Sequence, residues 1–168
     1  MICISSKGIM QLFDTSSIVY AWDNYPIEQF PPMWEWLAGE LANAKVMFPE
    51  VAVTELAKVS PECKEWLVKN GLSIIPMDDA ILQEALRLKG LLQIGEQYGG
   101  GVGENDLLIV ATAKINGVDL ISNEKVQSDL TKTKLVNYKI PAVCKMQSVG
   151  VACCDFLEFI RRSKAVFS

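Results

Sequence analysis

The sequence has 168 residues, half of them hydrophobic, and a formal net charge of -4. A chain of this size buries one substantial core, so we expect a single domain over 1–168, with an N-terminal extension at 1–8, a core at 9–160 and a C-terminal tail at 161–168. No apolar run reaches the roughly 18 residues of a membrane span, and the first residues do not form a signal peptide, so we expect a cytoplasmic protein.

Two residue types restrict the chemistry. The sequence contains no histidine, which excludes Ser-His-Asp and Cys-His mechanisms and removes the usual ligand of catalytic zinc. An enzyme built from this chain must use carboxylates, hydroxyls, lysines or a cofactor. The cysteines are odd in number and form no C-x-x-C pair, so we interpret all five as reduced and mostly buried thiols, including the adjacent Cys153 and Cys154.

The first half of the chain alternates short apolar segments with helical ones. Ile9–Phe13 predicts a buried strand that ends at Asp14, and the hydroxyls of the following residues suit a helix N-cap before a short helix at 18–22. Pro49 is expected at the first position of the helix that carries Glu55. The other predicted elements of this half are helices at 33–43, 60–67 and 78–90 and strands at 45–48 and 72–75.

The second half continues the same alternation. A glycine-rich connection at 99–103 leads to a helix over 107–115, which Gly117 closes and which presents Asp106 in its first turn. A strand at 118–122, a helix at 141–150, a strand at 151–153 and a helix at 155–162 follow. This order predicts an α/β fold, with a central and mostly parallel sheet of about five strands between helical layers.

Four acidic residues fall where such a fold gathers ligands. Asp14 ends a strand, Glu124 follows another, and Asp106 and Glu55 lie in helices that begin at the carboxyl edge of the sheet. Converging carboxylates repel one another unless a cation compensates, and oxygen-only ligands select magnesium or manganese. The arrangement predicts metal-assisted hydrolysis of a phosphodiester.

Each acid also has an ordinary explanation. Asp106 can complement the positive end of its helix, and Asp14 can belong to the turn. Glu55 can be a solvated helix residue, and Glu124 a loop charge. Taken singly these explanations are simpler, but the placement of all four residues on one predicted edge favours a site.

The sequence resembles the PIN domains over roughly residues 9–160. The matching segments are Leu12-Phe13-Asp14-Thr15-Ser16, Val51–Leu56 around Glu55, Asn105-Asp106 before Ile109–Ala113, and Leu120–Glu124. PIN domains are five-stranded α/β nucleases, and many are the ribonuclease toxins of bacterial VapBC-type toxin–antitoxin pairs. The resemblance implies a Mg²⁺- or Mn²⁺-dependent endoribonuclease acting on RNA, with an antitoxin and a second copy of the chain as expected partners.

The resemblance also assigns roles to residues. Asp14, Glu55 and Asp106 match the first three acids of the motif, and Glu124 stands where an aspartate is usual. Asp14, Asp106 and Glu124 are the expected metal ligands. Ser16 and Ser122 match supporting hydroxyl positions, and Asp129 is the substitute for the fourth acid if Glu124 is too long.

Other interpretations compete with a nuclease. The glycine run lacks the Gly-Lys-Ser/Thr ending of a P-loop, Ser16 stands where a haloacid-dehalogenase phosphatase needs aspartate, and the paired acids of a receiver domain are missing. The stronger rival is a non-catalytic PIN-like module that binds RNA or protein, using the aromatic insert around Trp22, Trp34 and Trp36; core packing is the simpler role for these residues.

The charge is divided unevenly along the chain. Residues 1–124 hold 17 acids and 8 bases, whereas residues 125–168 hold 3 acids and 8 bases. The basic C-terminal quarter fits either a phosphate-binding rim beside the acids or an ordinary solvated surface.

Overall fold

The computed structural model describes residues 9–168, and its sheet forms in the order β3-β2-β1-β4-β5. The strands are β1 (Gln11–Phe13), β2 (Val46–Pro49), β3 (Ile74–Ile75), β4 (Asp119–Ile121) and β5 (Cys153–Cys154). Every pairing between these strands is parallel. The predicted five-stranded α/β architecture is confirmed, and β1 is the middle strand. The predicted extension at 1–8, with Cys3, lies outside the described residues.

Helices connect and cover the strands. They are α1 (Thr15–Asn24), α2 (Pro31–Ala42), α3 (Glu50–Val59), α4 (Pro61–Lys69), α5 (Asp79–Leu91), α6 (Glu104–Asn116), α7 (Ile140–Lys145) and α8 (Phe156–Ser163). Two 3-10 turns, at Leu130–Lys132 and Leu135–Asn137, occupy the segment between β4 and α7. Within the part of the chain that the structure describes, no helix is both long and apolar enough to cross a membrane.

The sheet separates two hydrophobic clusters, which is the physical basis of the three layers. Successive strand residues point to opposite faces, so Leu12 packs into a cluster with α5, α6 and α7. Phe13 packs on the other face, with α1, α2, α4 and α8. There its ring meets those of Phe48, Phe156 and Phe159 edge-on, with centroids 5.0–6.1 Å apart.

The aromatic insert belongs mainly to this second cluster. Trp34 is only 2% exposed, and its indole Nε1 donates a hydrogen bond of 2.6 Å to the carbonyl of Tyr25. Its ring lies edge-on to Trp22 and Trp66, at centroid distances of 5.6 and 4.8 Å. Trp22 and Trp36 are partly buried and pack against the same cluster, so the core role predicted for these tryptophans is confirmed.

Several element boundaries differ from the prediction. Helix α7 ends at Lys145 rather than near 150, because the backbone of Met146 leaves the helical region with ψ 136°. The chain then turns so that the Val151 amide donates to the carbonyl of Cys144, and β5 forms at 153–154 instead of 151–153. Pro49 is the last residue of β2 and the N-cap of α3, one position earlier than predicted.

The described cysteines are free thiols, as predicted: Cys63, Cys144, Cys153 and Cys154. Cys63 lies on α4 and is fully buried. Burial raises the pKa of Cys63 to about 12 and that of Cys154 to about 11. Such thiols carry almost no reactive thiolate at neutral pH.

Candidate active site

The candidate site forms where β1 and β4 end side by side. Phe13 is in register with Ile121, so the residues that follow them, Asp14 and Ser122, leave the sheet together. The Asp14 amide donates to the carbonyl of Ile121 at 2.9 Å, and the Ser122 amide donates to the carbonyl of Cys154 at 2.9 Å. These bonds fix both side chains at the carboxyl edge, as predicted for Asp14 from its place after a strand.

Two hydroxyls orient the carboxylate of Asp14. Ser16 and Ser122 both donate to Oδ2, at 2.6 and 2.8 Å, and their own oxygens are 3.3 Å apart. Asp14 is only 3% exposed, yet no buried side-chain polar atom of the described residues lacks a hydrogen-bond partner. No described donor bonds Oδ1, so this oxygen keeps some exposure to solvent and can accept a ligand.

Asp14 occupies the N-cap position of α1 without capping it. Its side chain makes no cap hydrogen bond, and the hydroxyl of Ser17 donates to the Asp14 carbonyl at 2.7 Å instead. The sequence prediction that the hydroxyls form the N-cap is therefore wrong in detail. The carboxylate accepts hydrogen bonds from Ser16 and Ser122 through Oδ2, and Oδ1 remains free to bind a ligand.

The charge of Asp14 is poorly solvated. Burial raises the pKa of Asp14 from 3.8 to about 6, the hydrogen bonds from Ser16 and Ser122 oppose this rise, and the charges of Asp106 and Glu124 add to it. A buried carboxylate with further carboxylates around it is most stable as the anion when a cation is present.

Glu124 lies in the loop after β4 and is half-buried. Its pKa is raised by burial and by the charges of Asp106 and Glu55, while the charge of Lys139 lowers it. Its amide donates to the hydroxyl of Ser122 at 3.2 Å. Each of the four predicted acids thus acts electrostatically on at least one other, and all four face one edge.

Asn123 holds this loop in place, a role that the sequence did not reveal. Its amide donates to the hydroxyl of Ser16 at 2.9 Å, and its side-chain oxygen accepts from the amide of Phe156 at 3.0 Å. The loop is therefore attached both to α1 and to the first turn of α8. In the sequence, only its position directly before Glu124 indicates such a role.

Glu55 reaches the edge from α3. Its Oε2 accepts a hydrogen bond of 3.0 Å from the hydroxyl of Thr15, which also lies 3.3 Å from the carbonyl of Ala52. Thr15 is therefore a second positioning residue that sequence reasoning missed, although its place beside Asp14 hinted at it. The other carboxylate oxygen of Glu55 has no hydrogen-bond donor among the described residues.

Asp106 stands at the third position of α6, and its Oδ2 accepts from the Gly103 amide at 2.8 Å. The ordinary explanation for this residue, stabilisation of a helix start, thus accounts for one of its two oxygens. The charge still acts on Asp14 and Glu124. Asp106 therefore serves the helix and the acidic edge together.

The glycine run before Asp106 is shaped by close packing. A Cβ atom on Gly101 would lie 2.8 Å from the Tyr138 carbonyl oxygen and closer still to the Val136 oxygen. The Val102 amide donates to that Tyr138 carbonyl at 2.9 Å. The run therefore packs the start of α6 against the segment before α7. This close packing explains the glycine at position 101, and no phosphate-binding loop is needed to account for it.

Asp129 does not belong to the acidic group. Its carboxylate accepts from the amide and hydroxyl of Thr131 and pairs with Lys132 at 3.4 Å. These local contacts lower its pKa while it remains exposed to solvent. Its charge is not among those that raise the pKa of Asp14 or Glu124.

The basic C-terminal quarter does not form one rim beside the acids. Arg161 and Arg162 pair with Glu158 on α8, at 3.9 and 3.2 Å. Arg162 also lines a cavity with Gln11 and Asp119, the first residues of β1 and β4, which places it at the opposite edge of the sheet. Lys139 is the basic residue of this quarter whose charge acts on Glu124.

The donors available at this edge are carboxylate oxygens, the ligand type that hard divalent cations prefer. Asp14, Glu55 and Asp106 each keep a carboxylate oxygen without a described donor, and the acids repel one another. Within residues 9–168, no three His, Cys, Asp or Glu side chains are grouped closely enough to hold one ion between them. Mg²⁺ normally keeps several waters and takes only one or two protein carboxylates, so the fit of these acids to Mg²⁺ does not require three of them to contact one ion.

The fold is PIN-like, and it is shared with chains from several solved structures. These include DNA-bound VapBC from Salmonella typhimurium (15% identity, TM-score 0.55, covering 89% of this chain and 99% of that one) and VapBC2 from Rickettsia felis bound to a promoter DNA fragment (16%, 0.53, 88% and 98%). A third is PAE2754 from Pyrobaculum aerophilum (11%, 0.50, 92% and 88%). The chain itself belongs to the family described as domain of unknown function DUF4411, whose model matches residues 11–167. No curated protein matches the sequence.

Proposed function

We propose that this protein is a metal-dependent endoribonuclease that hydrolyses phosphodiester bonds of RNA with Mg²⁺ or Mn²⁺. The observation that carries the proposal is the state of Asp14: a buried carboxylate whose pKa is raised to about 6, with the charges of Asp106 and Glu124 acting on it. A bound cation would stabilise the ionised form of this group, and Oδ1 accepts no hydrogen bond from the described residues that would compete with such a ligand.

In this proposal Asp14, Asp106 and Glu124 hold the cation, directly or through its waters. When bound, the ion polarises the phosphodiester and favours ionisation of a water molecule. Ser16 and Ser122 keep Asp14 in one orientation by occupying its Oδ2. Glu55, held by Thr15, accepts the proton of the attacking water through its other oxygen.

The choice of RNA as substrate rests on the resemblance to PIN domains, as do the partners. The VapBC structures that share the fold contain complexes, and we extend this organisation to the present chain. We propose that it acts in the cytoplasm as the toxin of a toxin–antitoxin pair, that an antitoxin protein restrains it, and that it forms a homodimer.

A cleavage assay tests the enzymatic proposal. Purified protein, freed of any bound partner and of divalent ions, is incubated with a panel of structured and single-stranded RNAs, with Mg²⁺, with Mn²⁺ or with EDTA. We expect cleavage with either ion, none with EDTA, and at least a hundredfold loss in Asp14→Asn and Asp106→Asn, roughly the scale of removing an electrostatic catalytic group. Asp23→Asn, an exposed residue in the last turn of α1, is the matched control.

The outcomes separate the candidate functions. Cleavage that Asp14→Asn retains would exclude the assigned site. If no RNA is cut but RNA or a protein partner is bound stably, the chain is a non-catalytic PIN-like module. Normal growth of cells that express the active chain without an antitoxin would contradict the toxin role but leave the nuclease intact.

A further inference from the structure

Lys139 is held rigidly beside the acidic edge. Its amide donates to the side-chain oxygen of Gln127 at 2.8 Å, while the amide group of the same Gln127 donates to the carbonyl of Asn137 at 2.9 Å. One glutamine thus bridges both sides of Tyr138 and fixes the backbone from which the lysine projects. Lys139 is also the N-cap residue of α7, whose following residues are buried.

The side chain of Lys139 extends towards the segment that carries Asp106. Its Nζ lies 3.5 Å from the carbonyl oxygen of Gly101. Gly101 is packed against 136–138, and two residues later the Gly103 amide donates to Asp106. The ammonium group therefore lies beside the glycine run, and its charge lowers the pKa of Glu124.

Within the described part of the chain Lys139 forms no salt bridge, in contrast to some of the other basic residues. Five of them pair with a carboxylate within 4.0 Å: Lys45, Arg87, Lys132, Arg161 and Arg162. Among residues 9–168 no carboxylate lies within that distance of Lys139, and the only hydrogen bond of its side chain is the long one to the Gly101 carbonyl. Its ammonium keeps hydrogen-bonding capacity for a ligand while remaining half-buried at the site.

We propose that Lys139 binds a backbone phosphate of the RNA at the acidic edge. This inference rests on the proposed function, because it concerns the substrate of the same site. A polyanion that approaches several carboxylates is repelled, and a fixed cation at their border offsets this repulsion without neutralising the metal ligands. A lysine ammonium with three donors suits a single phosphate oxygen in such a position.

RNA binding can be measured apart from cleavage. Fluorescence anisotropy of a labelled, 2′-O-methylated single-stranded oligonucleotide is recorded with Ca²⁺ present, and the oligonucleotide is checked for integrity afterwards. Full-length wild type is compared with Lys139→Gln, Lys139→Met, Lys139→Arg and Lys145→Gln. The last is the matched control, because Lys145 is exposed in the final turn of the same helix and changes the net charge equally.

We expect Lys139→Gln and Lys139→Met to weaken binding about three- to tenfold and to reduce the slope of log affinity against log salt by about 0.7, the contribution of one phosphate contact on a single strand. Lys139→Arg should bind within about twofold of wild type, as should Lys145→Gln. The methionine variant retains the buried aliphatic stem, so it remains informative if the glutamine variant folds poorly.

Equal losses at positions 139 and 145 would overturn the proposal, as would unchanged binding in both uncharged variants or no binding by the wild type. The cleavage assay fails or succeeds separately. If the wild type cuts no RNA with Mg²⁺ or Mn²⁺, the nuclease proposal falls, while the anisotropy comparison still decides whether Lys139 contacts phosphate. If Asp14→Asn abolishes cleavage but Lys139→Met leaves binding unchanged, only the inference about Lys139 is wrong.

Discussion

The hydroxyl of Ser122 donates a hydrogen bond of 2.8 Å to Oδ2 of Asp14, although the two residues are 108 positions apart in the chain. The bond joins the ends of β1 and β4 and shares its acceptor atom with Ser16. One oxygen of Asp14 is thereby saturated while the other stays open. This asymmetry connects the proton affinity of Asp14 with its capacity to bind a cation.

Metal affinity should depend on pH through Asp14. Its pKa of about 6 in the metal-free protein means that a proton competes with the cation below this value. We expect Mn²⁺ to bind about tenfold more weakly at pH 5 than at pH 7.5, as one competing proton requires. Isothermal titration calorimetry at the two pH values measures the change, and equal affinities would show that Asp14 is not a ligand.

Ser122→Ala should move this pH dependence upward. Removing the hydroxyl takes away a hydrogen bond that lowers the pKa of Asp14, so the carboxyl group holds its proton to higher pH. The midpoint of the Mn²⁺ affinity curve should rise accordingly, and Ser148→Ala, at an exposed serine, should leave it in place. A midpoint that falls or stays constant in Ser122→Ala would contradict the role of this hydrogen bond.

Asp14→Asn should stabilise the metal-free protein at neutral pH. The folded-state pKa of Asp14 lies above its unfolded value, so the folded protein binds more protons between about pH 4 and 6, and its stability decreases as pH rises through this range. The burial of the anion corresponds to roughly 3 kcal/mol above pH 6, and asparagine removes much of it. Thermal unfolding in EDTA should therefore show a higher Tm for the variant at pH 7.5 and little difference below pH 4.

The same unfolding experiment includes two checks. Asp23→Asn, which is exposed, should shift stability by no more than about 0.5 kcal/mol. Added Mn²⁺ should raise the Tm of the wild type far more than that of Asp14→Asn, because only a native-state ligand stabilises by mass action. A lower Tm for metal-free Asp14→Asn at pH 7.5 would mean that the buried charge is compensated inside the protein.

Gly101→Ala should destabilise the fold, whereas Gly99→Ala should not. A Cβ atom at position 101 meets backbone atoms of residues 136–138, but at position 99 it meets nothing within 4 Å. Forced backbone displacement of this kind lowers the free energy of unfolding by about 1–3 kcal/mol. Urea unfolding of both variants measures the difference, and equal stabilities would show that the two segments separate easily.

Cys63 should resist alkylation in the folded protein. It is fully buried, so the reagent cannot reach the sulfur. Its pKa is raised to about 12, so very little of the thiol is present as reactive thiolate. We expect iodoacetamide at pH 8 to modify Cys63 at least about a hundredfold more slowly in native protein than in denatured protein. Mass spectrometry of the Cys63 peptide follows the reaction, and rapid native labelling would show that α4 opens frequently.

Much of the architecture was predictable because it depends on local patterns. Three features mark an element boundary within a few residues: the apolar run before Asp14, Asp78 at the N-cap of α5, and Gly117 at the end of α6. Helix α7 and strand β5 were misplaced, since short apolar segments fit a helix or a strand equally well. Tertiary contacts settle such segments, as the bond between Val151 and Cys144 does here.

The site was predictable only as a set of positions on one edge. The order of strands and helices places Asp14, Glu55, Asp106 and Glu124 together, but it does not specify their hydrogen bonds. The contact between Thr15 and Glu55 and the approach of Lys139 to Gly101 depend on how distant segments pack. Periodicity carries no signal for such pairings, which is why the positioning residues were missed.

The middle position of β1 in the sheet makes assembly of the candidate site depend on much later parts of the chain. Asp14 leaves the ribosome well before Ser122, Glu124 and the Phe156 amide that anchors their loop. Until β4 has paired with β1 and α8 has formed, the growing chain has an acid without its orienting partners. A nascent chain that has not yet reached α8 therefore lacks the assembled candidate site.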